Sequence, residues 1–409
     1  MEQKKSFALG YSLVFHSILM YFITGSFTTS GMNVWNAAFS RAHGWDTSTL
    51  LTMCTIGGLV GVLGTIIFGH VVAKKGARPV IAICVIVCGI AVMLFGYVPS
   101  IACYAICMVI FNATANGFCS VASNAVIGNW FPKRKGFILG ITTMGLPLAS
   151  CAFVPILSGL LGTAGLQKSF LIIGAVVIVL GIVSWFWVRN TPQEVGLLPD
   201  NGKYPEGNML SQGQTSEWTI KKLLVHKNTW FISLAYGLLF LVTMGMVSQT
   251  VVYLIQHGFE LQRSVSMLSI AAVVGIVGSF IWGVLDDKFG TKLASIVYCI
   301  WYIVTFAILA LAQGPAILII GVIMLGASLG GIGNLMPSMI MTAFGVSEFA
   351  AASRVVQTIV SIVRALSFAV MALGLKLFGN YASTAWILLG LTAVALILIL
   401  LIKPAKKEQ

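Results

Sequence analysis

The sequence predicts an all-α membrane protein of twelve transmembrane helices arranged as two six-helix bundles. Three observations carry that prediction: an extreme composition, twelve apolar runs of membrane-spanning length, and a motif that recurs at an offset of 214 residues. Of 409 residues, 58% are apolar and only 9% charged, with a mean hydropathy of +0.98, whereas soluble domains carry roughly 25% charge. The net charge of +13 does not mark a nucleic-acid binder, because the basic residues fall in short clusters between apolar runs. The eight cysteines all lie inside those runs, where they serve as small packing residues, and no disulfide framework or CxxC metal site is indicated.

Each crossing needs about 20 apolar residues. The candidates are residues 8–30, 49–72, 80–97, 101–128, 136–162, 169–188, 229–253, 264–285, 293–312, 317–343, 349–377 and 383–402, referred to below as spans 1 to 12. Lys4 and Lys5 precede a first stretch too long for a cleaved signal, so span 1 is expected to stay in the membrane. The polar interruption after span 6 reads as a linker with a short surface helix near 219–225. The expected organisation is therefore an N-terminal bundle (1–190), a central linker (191–227) and a C-terminal bundle (228–409). Placing the termini and even-numbered connections on one face puts nineteen Lys and Arg residues there and leaves the opposite face Arg41, Lys168, Arg263 and Lys376. By the positive-inside rule the termini and linker are expected to be cytoplasmic, in the cell (inner) membrane.

The stretch after span 2, from Gly69 through Ala73 and Gly76 to Arg78, aligns with the stretch after span 8, from Gly283 through Asp287 and Gly290 to Lys292. Both have the form G-xxx-D-xx-G-x-[RK], with Ala73 in place of the acid. Recurrence in two six-span halves resembles the major facilitator superfamily over essentially the whole chain. That resemblance implies a gating role for Gly69, Gly76, Arg78, Gly283, Asp287, Gly290 and Lys292, in which acid and base latch neighbouring helices; Ala73 removes the acid from the first latch. Asn129-Trp-Phe-Pro-Lys-Arg-Lys-Gly136 and Thr191-Pro-Gln-Glu-Val-Gly196-Leu-Leu-Pro-Asp200 are similar to signatures of the oxalate:formate antiporter and monocarboxylate transporter group.

All eleven acids fall outside the span interiors, which disfavours a buried-carboxylate proton pump. Arg364 alone among the bases sits near the middle of a span, span 11. A buried guanidinium costs some 2.5 to 3.5 kcal/mol on insertion scales and demands a partner. Arginine's flat fork matches a carboxylate in two bonds, so the partner is expected to be an organic anion. Gln357, Ser361 and Phe368 share its helical face. The alternative is that Arg364 bonds helix-end carbonyls or snorkels. The resembled group commonly carries an arginine in span 8, with an acid one turn earlier; Ser279 and Gly275 stand there, so a monocarboxylate is expected over a dicarboxylate.

His16, in span 1, can titrate and carry a proton with the anion, or simply pack. Tyr21, Tyr236, Gln249 and Tyr253 lie in spans 1 and 7, which line the cavity in the resembled fold, and are candidate substrate contacts. So are Asn116 in span 4 and Asn334 in span 10, whose polar stripes otherwise stitch helices together. Gly57-xxx-Gly61, Gly136-xxx-Gly140 and Gly326-xxx-Gly330 permit close helix packing; Pro147, Pro155 and Pro337 are expected to bend or open their helices. The expected activity is alternating-access transport of an organic anion, with exchange favoured over proton symport and extrusion of neutral or anionic lipophiles as the alternative. No catalytic cluster, filter repeat or G-xxxx-GK[ST] nucleotide loop occurs. The expectation is thus no enzyme and no cofactor, with a small carboxylate and the bilayer as partners, no nucleic acid, and a monomeric functional unit.

Overall fold

The computed structural model describes residues 2–132, 135–202, 219–345 and 348–403. Lys133, Arg134, Lys203, Lys406 and Lys407, counted above for orientation, lie outside them. Within them every span is helical. Span 1 begins as Glu2–Gly25, passes through a π-helical turn at Ser26–Ser30 and continues as Met32–His43. Spans 2 and 3 are Thr47–Lys75 and Ala77–Phe95, and span 4 is Ile101–Ala115, Asn116–Ser123 and Asn124–Trp130, the middle piece again π-helical. Spans 7, 8 and 9 are Lys227–Gln256, Leu261–Phe289 and Thr291–Leu311. Span 10 is Pro315–Ser328 plus Gly331–Phe344, span 11 is Phe349–Ala365 plus Ser367–Phe378, and span 12 is Tyr381–Leu401.

Among the described residues eleven apolar helical segments are long enough to cross a membrane, and one of them, Ile138–Trp187, has 50 residues. At 1.5 Å per residue that is about 75 Å, more than twice the roughly 30 Å hydrocarbon core. Gly165 leaves the helical conformation inside it (φ 74°, ψ 177°), so the segment supplies both span 5 and span 6 and the total is twelve. Span 5 also contains the irregularity its prolines predict: Pro147 and Pro155 flank a π-helical turn at Ala149–Phe153. In span 10 the expectation needs correction. Pro337 lies inside the Gly331–Phe344 helix, and the interruption falls at Leu329–Gly330, where Ser279 of span 8 occupies the place a Cβ on Gly330 would take. The surface helix is Ile220–Val225, with the Thr219 hydroxyl accepting from Lys222 N–H at 3.4 Å.

The residues divide into two compact units. One gathers Met1–Gly31, Ile56–Ala149 and Ile156–Gln214, the other Met32–Thr55, Ser150–Pro155 and Thr215–Gln409. In the first, span 1 packs on span 5, span 2 on span 4, and span 3 on spans 4 and 6. In the second, span 7 packs on span 11, span 8 on span 10, and span 9 on spans 10 and 12. These neighbour lists match at an offset of six spans, the three-dimensional counterpart of the sequence repeat. The second unit also takes in Met32–Thr55, the end of span 1 and the start of span 2.

Lipid gives helices no hydrophobic reason to associate, so close backbone approach matters. A Cβ on Gly61 would collide with Asn112 of span 4, and one on Gly326 with the carbonyl of Ala271 in span 8. Gly159 has open space around its would-be Cβ. Replacement Gly326→Ala is expected to lower the thermal midpoint of detergent-solubilised protein, at a cost of about 1 to 3 kcal/mol from overpacking. Gly159→Ala should leave the midpoint unchanged or raise it; equal effects at both sites would contradict this account of the span 8–span 10 contact.

Candidate functional site

Arg364 is the penultimate residue of the first helix of span 11, two residues before the interruption at Leu366 and two turns beyond Gln357. Counted from Phe349 it lies about 22 Å along a 30-residue span, close to the middle. It is half-buried and carries interactions with its surroundings. The helix leading to it is amphipathic. Ser353, Gln357 and Ser361 follow one another at four-residue spacing and are joined lengthwise: Gln357 Nε2 donates to Ser353 Oγ at 3.0 Å and Ser361 Oγ donates to Gln357 O at 2.8 Å. Arg354, Gln357 and Thr358 are exposed. Phe368 is buried beyond the interruption at Leu366. No Asp or Glu among the described residues lies in the interior of a span.

The other candidates are dispersed. Tyr236 is fully buried in the second unit, its hydroxyl 2.7 Å from Ser295 Oγ and 3.2 Å from Leu335 O. Gln249, also fully buried, accepts from Tyr381 OH at 3.0 Å and donates to Ser248 Oγ at 3.3 Å. Asn334 donates to Ser279 O at 3.1 Å, and Tyr253 OH to Leu309 O at 2.7 Å. In the first unit, Asn116 donates to Gly61 O at 2.9 Å and half-buried Tyr21 to Asn124 Oδ1 at 3.0 Å. Ser184 Oγ donates to Leu180 O at 2.7 Å, which leaves its lone pairs for His16 Nε2, 2.8 Å away. Trp187 meets the His16 ring edge-on at 5.4 Å. His16, 2% exposed, thus has packing and hydrogen-bond partners from span 6. Every one of these groups ties helices within its own unit.

The gating motif resolves into two caps. Gly76 and Gly290 both take positive φ (83° and 82°), a conformation glycine adopts without strain, and each starts the following span. Arg78 Nε donates to Trp185 O at 2.5 Å, near the end of span 6, with its guanidinium over the Trp185 ring at 5.1 Å. Lys292 Nζ donates to Leu400 O at 2.9 Å and Ile402 O at 2.8 Å, at the end of span 12. In each half the basic residue therefore closes the carbonyl end of that half's last helix, where cations are favoured. Asp287 is exposed and forms no hydrogen bond or ion pair with the described residues. Gly69 and Gly283 have little or nothing near a would-be Cβ.

The two group signatures meet Arg78 in one knot, which sequence spacing did not reveal. Asn190 Oδ1 accepts from Arg78 N–H at 2.8 Å, while Glu194 accepts from Asn190 N–H at 3.2 Å and from its Nδ2 at 3.0 Å. Asn129 Nδ2 donates to Asn190 O and Trp130 Nε1 to Arg189 O, both at 3.0 Å. Replacement Asn190→Ala is expected to cost about 1 to 3 kcal/mol in thermal or denaturant unfolding of solubilised protein and to leave the substrate KM unchanged. A shift in KM without loss of stability would instead give the knot a role in selectivity.

Comparison with known proteins agrees with the fold. Two curated relatives are a phosphoglycerate transporter protein of Salmonella typhimurium (25% identical, covering 53% of this chain and 50% of that one) and a probable sulfoacetate transporter, SauU, of Cupriavidus necator (23%, 54% and 52%). The chain spans about half the length of the curated relatives it matches. Among solved structures, the nucleoside transporter NupG superposes with a TM-score of 0.73 over 96% of this chain and 99% of that one, at 16% identity, a likeness of fold. The sequence profile of the Major Facilitator Superfamily matches residues 17–368. Twelve spans in two repeated halves and a profile match over most of the length lead to one assignment: the chain belongs to the Major Facilitator Superfamily.

Proposed function

We propose that the protein moves an organic anion, a monocarboxylate, by alternating access, with the carboxylate paired to Arg364. The observation that carries this is the placement of one guanidinium at the midpoint of span 11, where the helix is interrupted and a line of polar side chains leads up to it. Polar side chains facing lipid would be costly, so exposed Gln357 and Thr358 are best accounted for by water along that face. Curated relatives named for phosphoglycerate and sulfoacetate support an organic anion in general, and the signatures shared with the monocarboxylate group support the narrower class.

Coupling follows from charge. An empty carrier moves the Arg364 cation with only the protein's own contacts about it, whereas a loaded one also carries the anion's countercharge, so reorientation is faster when loaded and exchange is favoured. His16, held by Ser184 and Trp187 of the same unit, is better suited to packing than to proton coupling. The positive-inside charge count supports cytoplasmic termini and linker.

Arg364→Gln is expected to reduce carboxylate counterflow in proteoliposomes by roughly ten- to hundredfold, the effect of losing charge-assisted hydrogen bonds of about 1.5 to 3 kcal/mol. Arg364→Lys should retain a measurable fraction. Wild-type-like carboxylate counterflow by Arg364→Gln would overturn the pairing, and retained efflux of a neutral lipophile alongside it would point to extrusion of lipophilic compounds.

A further inference from the structure

In span 7, Val251 N–H and Val247 O are the partners that an unbroken α-helix joins directly. Here the carboxamide of Asn33 engages both. Its Nδ2 donates to Val247 O at 2.8 Å and its Oδ1 accepts from Val251 N–H at 3.0 Å. Asn33 is 1% exposed and lies on the Met32–His43 helix, which belongs to the same unit as span 7. Span 7 runs unbroken through this point as part of the Lys227–Gln256 helix, so the carboxamide docks along the edge of its ladder.

The neighbouring residues point the same way. Ser248 Oγ donates to Gly245 O and Thr250 Oγ1 to Met246 O, both at 2.8 Å. Three successive carbonyls, those of residues 245, 246 and 247, therefore receive side-chain donors, and back-bonding hydroxyls of this kind bend helices. Gln249, between the two, is held by Tyr381 of span 12. This segment of span 7 is supported from outside its own ladder at every position from 248 to 251.

We propose that Asn33 is a positioning residue for transport, a carboxamide clasp that fixes the Met32–His43 helix on span 7 at Val247–Val251 in the conformation seen here. When the Met32–His43 helix withdraws, both clasp bonds are given up. A group with donor and acceptor in one plane serves both ends at once. Aspartate has no donor to offer Val247 O, leucine offers neither function, and glutamine carries the same amide one methylene further out. On withdrawal the two clasp bonds are exchanged for bonds to water, so the two arrangements lie close in free energy. Such a releasable contact suits a transition that must run in both directions. The proposal rests on alternating access but not on the cargo or on Arg364.

The test uses a reporter cysteine at Val247, which is 4% exposed, in protein reconstituted into nanodiscs without substrate. Maleimide labelling is read at each cysteine by peptide mass spectrometry. Native Cys119 and Cys299, both fully buried, report whether the bundles remain intact. Asn33→Leu and Asn33→Asp are expected to raise labelling at position 247 by roughly five- to thirtyfold, the effect of losing one or two hydrogen bonds. Cys119 and Cys299 should stay protected, and Asn33→Gln should restore part of the wild-type rate. In transport, Asn33→Asp should lower kcat with KM unchanged. Unchanged labelling in both variants, joint exposure of Cys119 and Cys299, or a change confined to KM would each overturn the proposal. If Asn33→Leu does not fold, Asn33→Asp carries the test. Because labelling is measured without cargo, failure of the anion assignment leaves this result intact.

Discussion

A polar group at bilayer depth must find its partner inside the protein, because hydrocarbon supplies none. That constraint accounts for most of the hydrogen bonds that organise this chain. Serine and threonine hydroxyls in the spans turn back onto carbonyls three or four residues earlier, as Thr114, Ser184, Thr243 and Thr392 do. Longer groups reach a neighbouring helix and land on backbone: Asn116 on Gly61, Asn334 on Ser279, Trp282 on Ala327, Tyr298 on Ser328. Helix pairs become specific through such bonds, and small residues supply the proximity that makes them possible.

The same constraint operates at helix ends. The last carbonyls of a helix lack intrahelical partners, and in each half a basic residue from the start of the third span answers those of the sixth. Arg78 and Lys292 do this with different chemistry. Arginine lays its plane over an indole while donating from Nε, and lysine splits its donors between two carbonyls. The motif repeats at a fixed offset because the cap repeats. Ala73 in place of an acid leaves the Arg78 cap intact, since the cap's acceptors are backbone carbonyls and not a carboxylate.

The all-helical, multi-span architecture was legible in the sequence because span length is a consequence of the solvent and needs no tertiary knowledge. The break at Gly165 was legible too, as a gap between two apolar runs. Interruptions without a compositional mark were not. Pro337 drew attention within span 10, yet the helix is interrupted at Leu329–Gly330, where Gly330 lies against Ser279 of span 8, a contact set by packing. Candidate site residues divided along a similar line. Type and spacing identified Tyr236, Gln249, Asn116 and His16 as polar groups needing partners, and each has one within its own unit. Asn33 and Asn190 escaped notice because their partners are backbone groups of distant segments, and main-chain atoms leave no signature in residue type.

Arg364 carries the largest electrostatic demand, and its position decides how that demand is met. A cation in the last turn of a helix gains typically 0.3 to 1 kcal/mol from the helix end, and up to about 2 in buried geometries. Insertion of an arginine at mid-membrane costs some 2.5 to 3.5 kcal/mol on the mildest scale. The end of the Phe349–Ala365 helix offsets at most part of that cost, and the interactions that the half-buried side chain makes with its surroundings offset more. A carboxylate arriving from solution, in the pairing proposed above, adds charge-assisted bonds to those the guanidinium already makes.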